Sequence, residues 1–326
     1  MNRTIGNTLK VVRTISTVVA TILILAVQLE CTDSVYPIAL PGCQDSCGDI
    51  PIPYPFGIGS DCSMSEYFNI TCDILNDGKP MPQYEGFVIL NINLPLGQGR
   101  ISSPISYRCY NSTTKKEYIH GGINFLQSPY RVNTEKNTFT VIGCNTLAYL
   151  CLDNSSESCL DFSTDYTVGC VSSCGSVDTL IKHGSCDGIG CCQTAMPKGT
   201  SSYSVSINKR PSYNNSELYN FSRCSYAMIV EEAEFKFNTT YITTDKLHDT
   251  TDQPLPMVID WAIGNMTCDI AQKYKSSFAC RSDHSDCLNS ISVGGYLCNC
   301  SNGYQGNPYL PGGCQGLSFL SLLKPW

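Results

Sequence analysis

The sequence predicts a mainly β, disulfide-rich extracellular protein: cysteine-rich β structure followed by a smaller cystine module. Three observations carry that expectation. Strand-like alternation recurs along the chain, 21 cysteines are spread over its 326 residues, and eight Asn-x-Ser/Thr triplets punctuate the part after residue 31. Such cysteine density outside the reducing cytosol reads as a disulfide framework. The triplets, at Asn69, Asn111, Asn154, Asn214, Asn220, Asn238, Asn265 and Asn299, point to a glycan-coated exterior.

The compartment is set at the start. Arg3, Lys10 and Arg13 precede an uncharged, mostly apolar run from Thr14 to Leu29, which Glu30 ends. That is the pattern of a secretory signal, assigned to residues 1–31, and the run is short for a span of roughly 20 residues. No clean pair of small residues marks a cleavage site, so an uncleaved anchor is the alternative. Loss of Cys31 with the leader leaves an even 20 cysteines. The leader's three basic residues against Glu30 take +2 with them, so the net charge of −7 becomes about −9. With no basic block or interleaved aromatics, nucleic-acid binding is excluded.

Next comes "CQDSCGDIPIPYPFGIGSDC", residues 43–62. In an extended strand, residues i and i+2 turn their backbone donors to one edge. Pro51, Pro53 and Pro55 therefore silence one edge, while Ile52, Tyr54 and Phe56 keep donors on the other. This predicts an edge strand or polyproline-like ribbon whose Ile52, Tyr54 and Phe56 share a face. Two roles stand open for that face: packing on the core, or an aromatic platform on which a sugar ring stacks.

Strand signals follow. In "FVILNINL", Val88, Leu90, Ile92 and Leu94 alternate with Ile89, Asn91 and Asn93. "FTVIGC", "SYSVSIN" and "YAMIVEEAEFKF" read similarly, between turn-forming clusters. No long amphipathic helix is expected. "TTDKLHDTTDQPLP", residues 243–256, reads as a linker or long loop.

Beyond it Cys268, Cys280, Cys287, Cys298, Cys300 and Cys314 are separated by 11, 6, 10, 1 and 13 residues. With "GGYLCNCSNGYQG", this resembles an EGF-like module, placed at 265–315. The resemblance implies bridges Cys268–Cys287, Cys280–Cys298 and Cys300–Cys314, leaving fourteen cysteines upstream. No acidic cluster precedes Cys268, and six residues separate Asn289 from Tyr296 where the calcium-binding pattern has four. The module is therefore read as structural. The last residues, 316–326, form a short apolar tail too brief for a span, so no membrane span is expected after residue 30.

In order, "CGDIPIPYPFGIGSDC", "FTVIGC", "CDGIGCCQTAMPKG", "CSYAMIVEEAEF", "LPMVIDWAIGNMTC" and "NGYQGNPYLPGGC" resemble the ectodomain of plant wall-associated receptor kinases. The resemblance runs from about residue 40 to 315. It implies a galacturonan-binding domain at 40–147, a second cysteine-rich β region at 148–262, and recognition of cell-wall pectin or oligogalacturonides by a secreted, wall-located protein. The family continues into a calcium-binding EGF repeat, a membrane helix and a kinase. This chain stops first and carries no kinase motif, as a truncated product, a natural secreted form or an incomplete gene model would.

Candidate chemistry is sparse. His183 lies near Cys186, Cys191 and Cys192, but in a cystine-rich chain these thiols read as bridges rather than zinc ligands. No nucleophile elbow appears, and nothing singles out a carboxylate pair for glycoside hydrolysis. The chain reads as a binding protein, not an enzyme. Pectin and this protein are both anionic, so a site needs a basic cluster, calcium bridges to the sugar, or stacking with hydrogen bonds. Candidate contacts are Lys115 with Lys116, Arg100 with Arg108, Lys209 with Arg210, and Tyr54 with Phe56. No cofactor is expected beyond calcium as such a bridge. The alternative function is a protein–protein module that pairs with receptor ectodomains.

Overall fold

Strands form where apolar residues alternate, and most of them gather into three sheets. The computed structural model describes residues 36–75, 78–109, 117–119, 121–152, 167–176, 180, 185–209, 221–244, 247 and 254–317. The leader, Lys115, Lys116, Arg210, His183, the triplets at Asn111, Asn154, Asn214 and Asn220, and residues 318–326 lie outside the described residues.

The largest sheet has seven strands in the spatial order Tyr130–Val132, Pro256–Trp261, Gln98–Ser102, Phe87–Asn93, Pro80–Tyr84, Asn69–Ile74 and Gly57–Ile58. A five-stranded sheet runs Cys191–Thr194, Asn137–Ile142, Cys224–Glu231, Ser106–Cys109, Glu117–Ile119. A four-stranded sheet runs Gly122–Asn124, Ser202–Lys209, Thr146–Cys151, Thr167–Ser172. Each sheet draws strands from both the 40–147 and the 148–262 stretch. The chain from Ile38 onward is one compact unit.

The five-stranded sheet is the middle layer. Every residue of Cys224–Glu231 is buried, as its nearly unbroken apolar run requires of a strand covered on both faces. Ala227 and Ile229 join one core with Trp261, Ile259 and Met257. Tyr226, Met228 and Val230 join a second with Phe235, Phe237, Ile242 and Leu247. The strand stops at Glu231 because the chain turns there: the N–H groups of Glu234 and Phe235 both donate to the Glu231 carbonyl. Phe235 and Phe237 thus return over the sheet instead of extending it.

The strand Phe87–Asn93 departs from its expected alternation. Its pairing with Gln98–Ser102 slips between Ile89 and Asn91, a β-bulge. One extra residue inverts the side-chain phase. Phe87 and Ile89 face the core before the bulge, and Ile92 and Leu94 face it afterwards.

The stretch expected as a linker gives way at its last residue, Pro256, to a central strand. Pro256–Trp261 inserts between Tyr130–Val132 and Gln98–Ser102. Buried Asn137 welds it to the middle layer: Nδ2 donates to the Val258 carbonyl at 2.7 Å, and Oδ1 accepts from the Val258 N–H at 2.9 Å.

In the C-terminal stretch the bridges are Cys268–Cys287, Cys280–Cys298 and Cys300–Cys314. They tie a helical turn, Cys268–Ala271, to two small hairpins, Ser285–Asn289 with Tyr296–Cys300, and Tyr304–Gly306 with Cys314–Gly316. Its cysteines pair only with one another, yet it is fused to the sheets. Ile263 and Tyr296 exchange two backbone hydrogen bonds at 2.8 and 3.2 Å. Tyr309 packs on Trp261 with ring centroids 6.0 Å apart.

Candidate functional site

The "PIPYPFG" stretch is neither a strand nor a ribbon throughout. Ile50–Pro51 pairs with Ser46–Cys47, and the chain then turns, with the Phe56 N–H donating to the Pro53 carbonyl at 3.0 Å. The surviving donors do act on one edge: the Ile52 N–H reaches the Asp45 carbonyl and the Tyr54 N–H the Ile38 carbonyl, each at 2.7 Å. Ile52 is fully buried, and Phe56 is 5% exposed. Phe68 and Trp261 meet the Phe56 ring edge-on at 5.1 and 5.2 Å, so no ring face is left for a sugar. The platform role is thereby corrected for Phe56, whose work is core packing. Tyr54 is half-buried against the same core, and burial raises its phenol pKa while the Arg281 charge opposes that.

The described basic candidates, Arg100 and Arg108, do not converge. Arg100 grips the nearly buried Glu231 with two charge-assisted bonds of 2.6 and 2.7 Å, which raise its pKa. Its charge is paired with that carboxylate while its side chain stays 38% exposed, so Arg100 is an ion-pair partner rather than a free cation. Arg108 lies on a different sheet and donates to the Ile207 carbonyl at 3.3 Å. Cys186, Cys191 and Cys192 are bridged, the first two to each other and Cys192 to Cys170.

Two surface clefts offer alternatives. A groove of about 690 Å³ lies where the C-terminal module meets the large sheet, lined by Gln98, Arg131, Asn133, Lys198, Asp260 and Leu297 among others. Its cations are partly engaged. One Arg131 nitrogen donates to the carbonyls of Phe125, Ser128 and Tyr130. Buried Asp260 accepts from Asn133 and Gln98, and Gln98 in turn accepts from Lys136. Leu96 and Ile291 stand exposed on its rim.

The second cleft, about 570 Å³, is lined by Glu66, Tyr67, Asn69, Thr71, Gln83, Tyr84 and Glu85, with Asn124, Leu126, Gln127 and Ser128 opposite. Its parts are assembled by local rules. The short 3₁₀ turn Glu66–Phe68 sinks Phe68 into the core and leaves Tyr67 37% exposed. The buried Tyr130 hydroxyl donates to the Tyr67 carbonyl and fixes the turn. Glu85 and Gly86 form the two-residue turn between Pro80–Tyr84 and Phe87–Asn93, with φ of 48° and 84°. Both angles are positive, as a type I′ hairpin requires, and a glutamate there is unusual. The Tyr84 phenol is pushed up to about 12 by burial first, then by the Glu85 charge, Tyr67 and Glu66. Both carboxylates therefore act on one half-buried ring.

This cleft offers aromatic rings, amides and hydroxyls, the groups that stack on and hydrogen-bond to sugars. Its two carboxylates repel an anionic sugar unless a cation joins them. Sequence periodicity gave no sign of it. The one local signal was "YEGF", a hairpin turn whose first residue breaks the Asn-Gly or Asp-Gly preference.

Comparison with known proteins bears on this region. Residues 43–102 match the family described as wall-associated receptor kinase galacturonan-binding. Over 282 residues the chain is 35% identical to wall-associated receptor kinase 2 of Arabidopsis thaliana, covering 85% of this chain and 34% of that one. It is 32% identical over 294 residues to wall-associated receptor kinase 1 of the same plant, covering 89% and 37%. The chain thus spans about a third of the length of the curated relatives it matches. No solved structure matches it.

Proposed function

Taking the chain as a wall-associated receptor kinase ectodomain-like protein, we propose that it recognises cell-wall pectin, binding oligogalacturonides in the cleft around Tyr67 and Tyr84. The observation that carries the reading is one of place. Glu66, Tyr67, Asn69, Thr71, Gln83, Tyr84 and Glu85 all belong to the segment that matches the galacturonan-binding family. Tyr67 supplies a stacking face, and Gln83, Asn124 and Gln127 supply amides for ring hydroxyls.

Charge then dictates a condition. Glu66 and Glu85 are anionic, and so is each galacturonate. Calcium takes 6–8 oxygen ligands, more than two carboxylates provide, so sugar carboxylates complete its shell and the ion bridges protein to pectin. The protein acts outside the cell, where its nine described disulfides persist.

Calorimetric titration of the secreted protein with oligogalacturonides, with calcium and with chelator, tests this. Binding is expected with calcium and lost with chelator; equal binding in both, or none in either, defeats the calcium-bridged reading. The second reading, a module that pairs with receptor ectodomains, is favoured by exposed Leu96 and Ile291 on the junction groove. Pectin-independent co-purification with such ectodomains, abolished by Ile291→Asp, supports it.

A further inference from the structure

The cleft contains a glycosylation triplet of its own. Asn69 begins the strand Asn69–Ile74, where alternation turns Ile70 inward and Asn69 and Thr71 outward. Ile70 is buried, and both Asn69 and Thr71 line the cleft. The Asn69 Oδ1 accepts the Gly59 N–H at 3.0 Å. That bond assigns which end of the amide is oxygen. It leaves Nδ2, the atom that carries an N-linked glycan, without a hydrogen-bond partner among the described residues. The other described triplets differ. Asn238, Asn265 and Asn299 do not line this cleft, and Asn299 Nδ2 already donates to the Pro95 carbonyl at 3.1 Å.

The geometry points to an N-linked glycan on Asn69 that lies in this cleft and gates it against oligogalacturonides, an inference that rests on the pectin reading of the same cleft. The modification follows ordinary secretory chemistry. Asn69 Nδ2 attacks C1 of a lipid-diphosphate-linked oligosaccharide. The N–C1 bond forms, the C1–O bond to the diphosphate breaks, and the amide gives up one proton. The attached chain then stays at an effective concentration of about millimolar, set by its tether. Tyr67, Gln83 and Gln127 offer it the same stacking and amide contacts they offer a free sugar. It lacks the dense carboxylates that calcium would bridge, so free oligogalacturonide with calcium can displace it. Glycan processing at this one asparagine thereby sets ligand sensitivity.

The test uses the full secreted protein from a glycosylating host, as wild type, as Thr71→Ala, which deletes the triplet, and as Thr240→Ala, which deletes the remote Asn238 triplet. Glycopeptide mass spectrometry should find Asn69 occupied in wild type and bare in Thr71→Ala. Covalent labelling of Tyr67 should rise in Thr71→Ala and stay at the wild-type level in Thr240→Ala. If the glycan fills the cleft nine-tenths of the time, calcium-dependent oligogalacturonide affinity should rise about tenfold in Thr71→Ala. Wild type trimmed by endoglycosidase to single core sugars should show a gain in the same direction. An unmodified Asn69 in the secreted protein overturns the inference, as does equal Tyr67 labelling with and without the triplet. Equal affinity of wild type and Thr71→Ala overturns the gate. Tyr67 exposure in Thr71→Ala with no oligogalacturonide binding by any form overturns the pectin reading and leaves the glycan-filled cleft standing.

Discussion

The large sheet and the C-terminal cystine module are held together by different physics, and they meet at one tryptophan. Around Trp261 the sheet side is aromatic and dry: Phe56 and Phe68 stand edge-on to it at 5.2 and 5.9 Å. The module side has little apolar volume and three bridges that close loops 14 to 19 residues apart. Small units that cannot build a core use cystines to restrict their unfolded chain. Here the module also borrows core from its neighbour through Tyr309, which is fully buried. Cross-linking makes the module a shape; docking makes it part of the compact unit that starts at Ile38.

The largest expected effect attacks the shared residue. Trp261→Ala should destabilise the protein by about 3–5 kcal/mol, the scale of aromatic truncation in a core. Both regions should lose amide protection together in hydrogen exchange. Loss confined to the large sheet would mean the module does not depend on that core. Deleting Cys280–Cys298 by a double alanine change comes next, at about 3 kcal/mol for a loop of this length. Loosening should stay within the module, and spread into the sheets would erase the contrast between the two regions.

The joint itself is smaller but more specific. Buried Asn307 donates from Nδ2 to the carbonyls of Ile38 and Tyr54 at 2.8 and 2.7 Å, while its Oδ1 accepts from the Tyr309 N–H. Asn307→Ala strands those groups, at about 1–3 kcal/mol. Exchange should accelerate at Tyr54 and Tyr309 before it does elsewhere. Uniform acceleration would show that this clamp is not a separate joint.

The contrast also explains what could be read in advance. The cysteine spacing exposed the module because it resembles that of EGF-like modules, and the resemblance implied the three bridges. Strand content was legible where alternation was clean, as in "SYSVSIN", now Ser202–Lys209. Topology was not. Gln98 and Asp260 pair across 162 residues, and nothing local in "PLPMVIDW" announces a central strand next to Gln98–Ser102. The bulge after Ile89 inverted a pattern that looked regular. Arg100 looked like a free cation because its partner, Glu231, is 131 residues away. Tyr67 and Tyr84 carried no periodic signal, since a 3₁₀ turn and a hairpin end place them.

The smallest expected change tests the cleft through its one unfavourable backbone. Glu85 sits at φ 48° beside Gly86, in a turn that prefers Asn-Gly. A left-handed conformation disfavours most side chains by roughly 1–2 kcal/mol, and asparagine tolerates it better. Glu85→Asn should therefore raise stability, by no more than about 1 kcal/mol. The same change removes one of the two carboxylates proposed to share calcium with the sugar. Stability and calcium-dependent oligogalacturonide binding should move in opposite directions, as at sites where a strained residue is kept for what it contacts. Urea unfolding and calorimetry on one preparation measure both. A more stable variant with undiminished binding would remove Glu85 from the site and leave the calcium bridge without its second carboxylate. A less stable variant would mean that the glutamate side chain supports the turn, and the strain argument would fall.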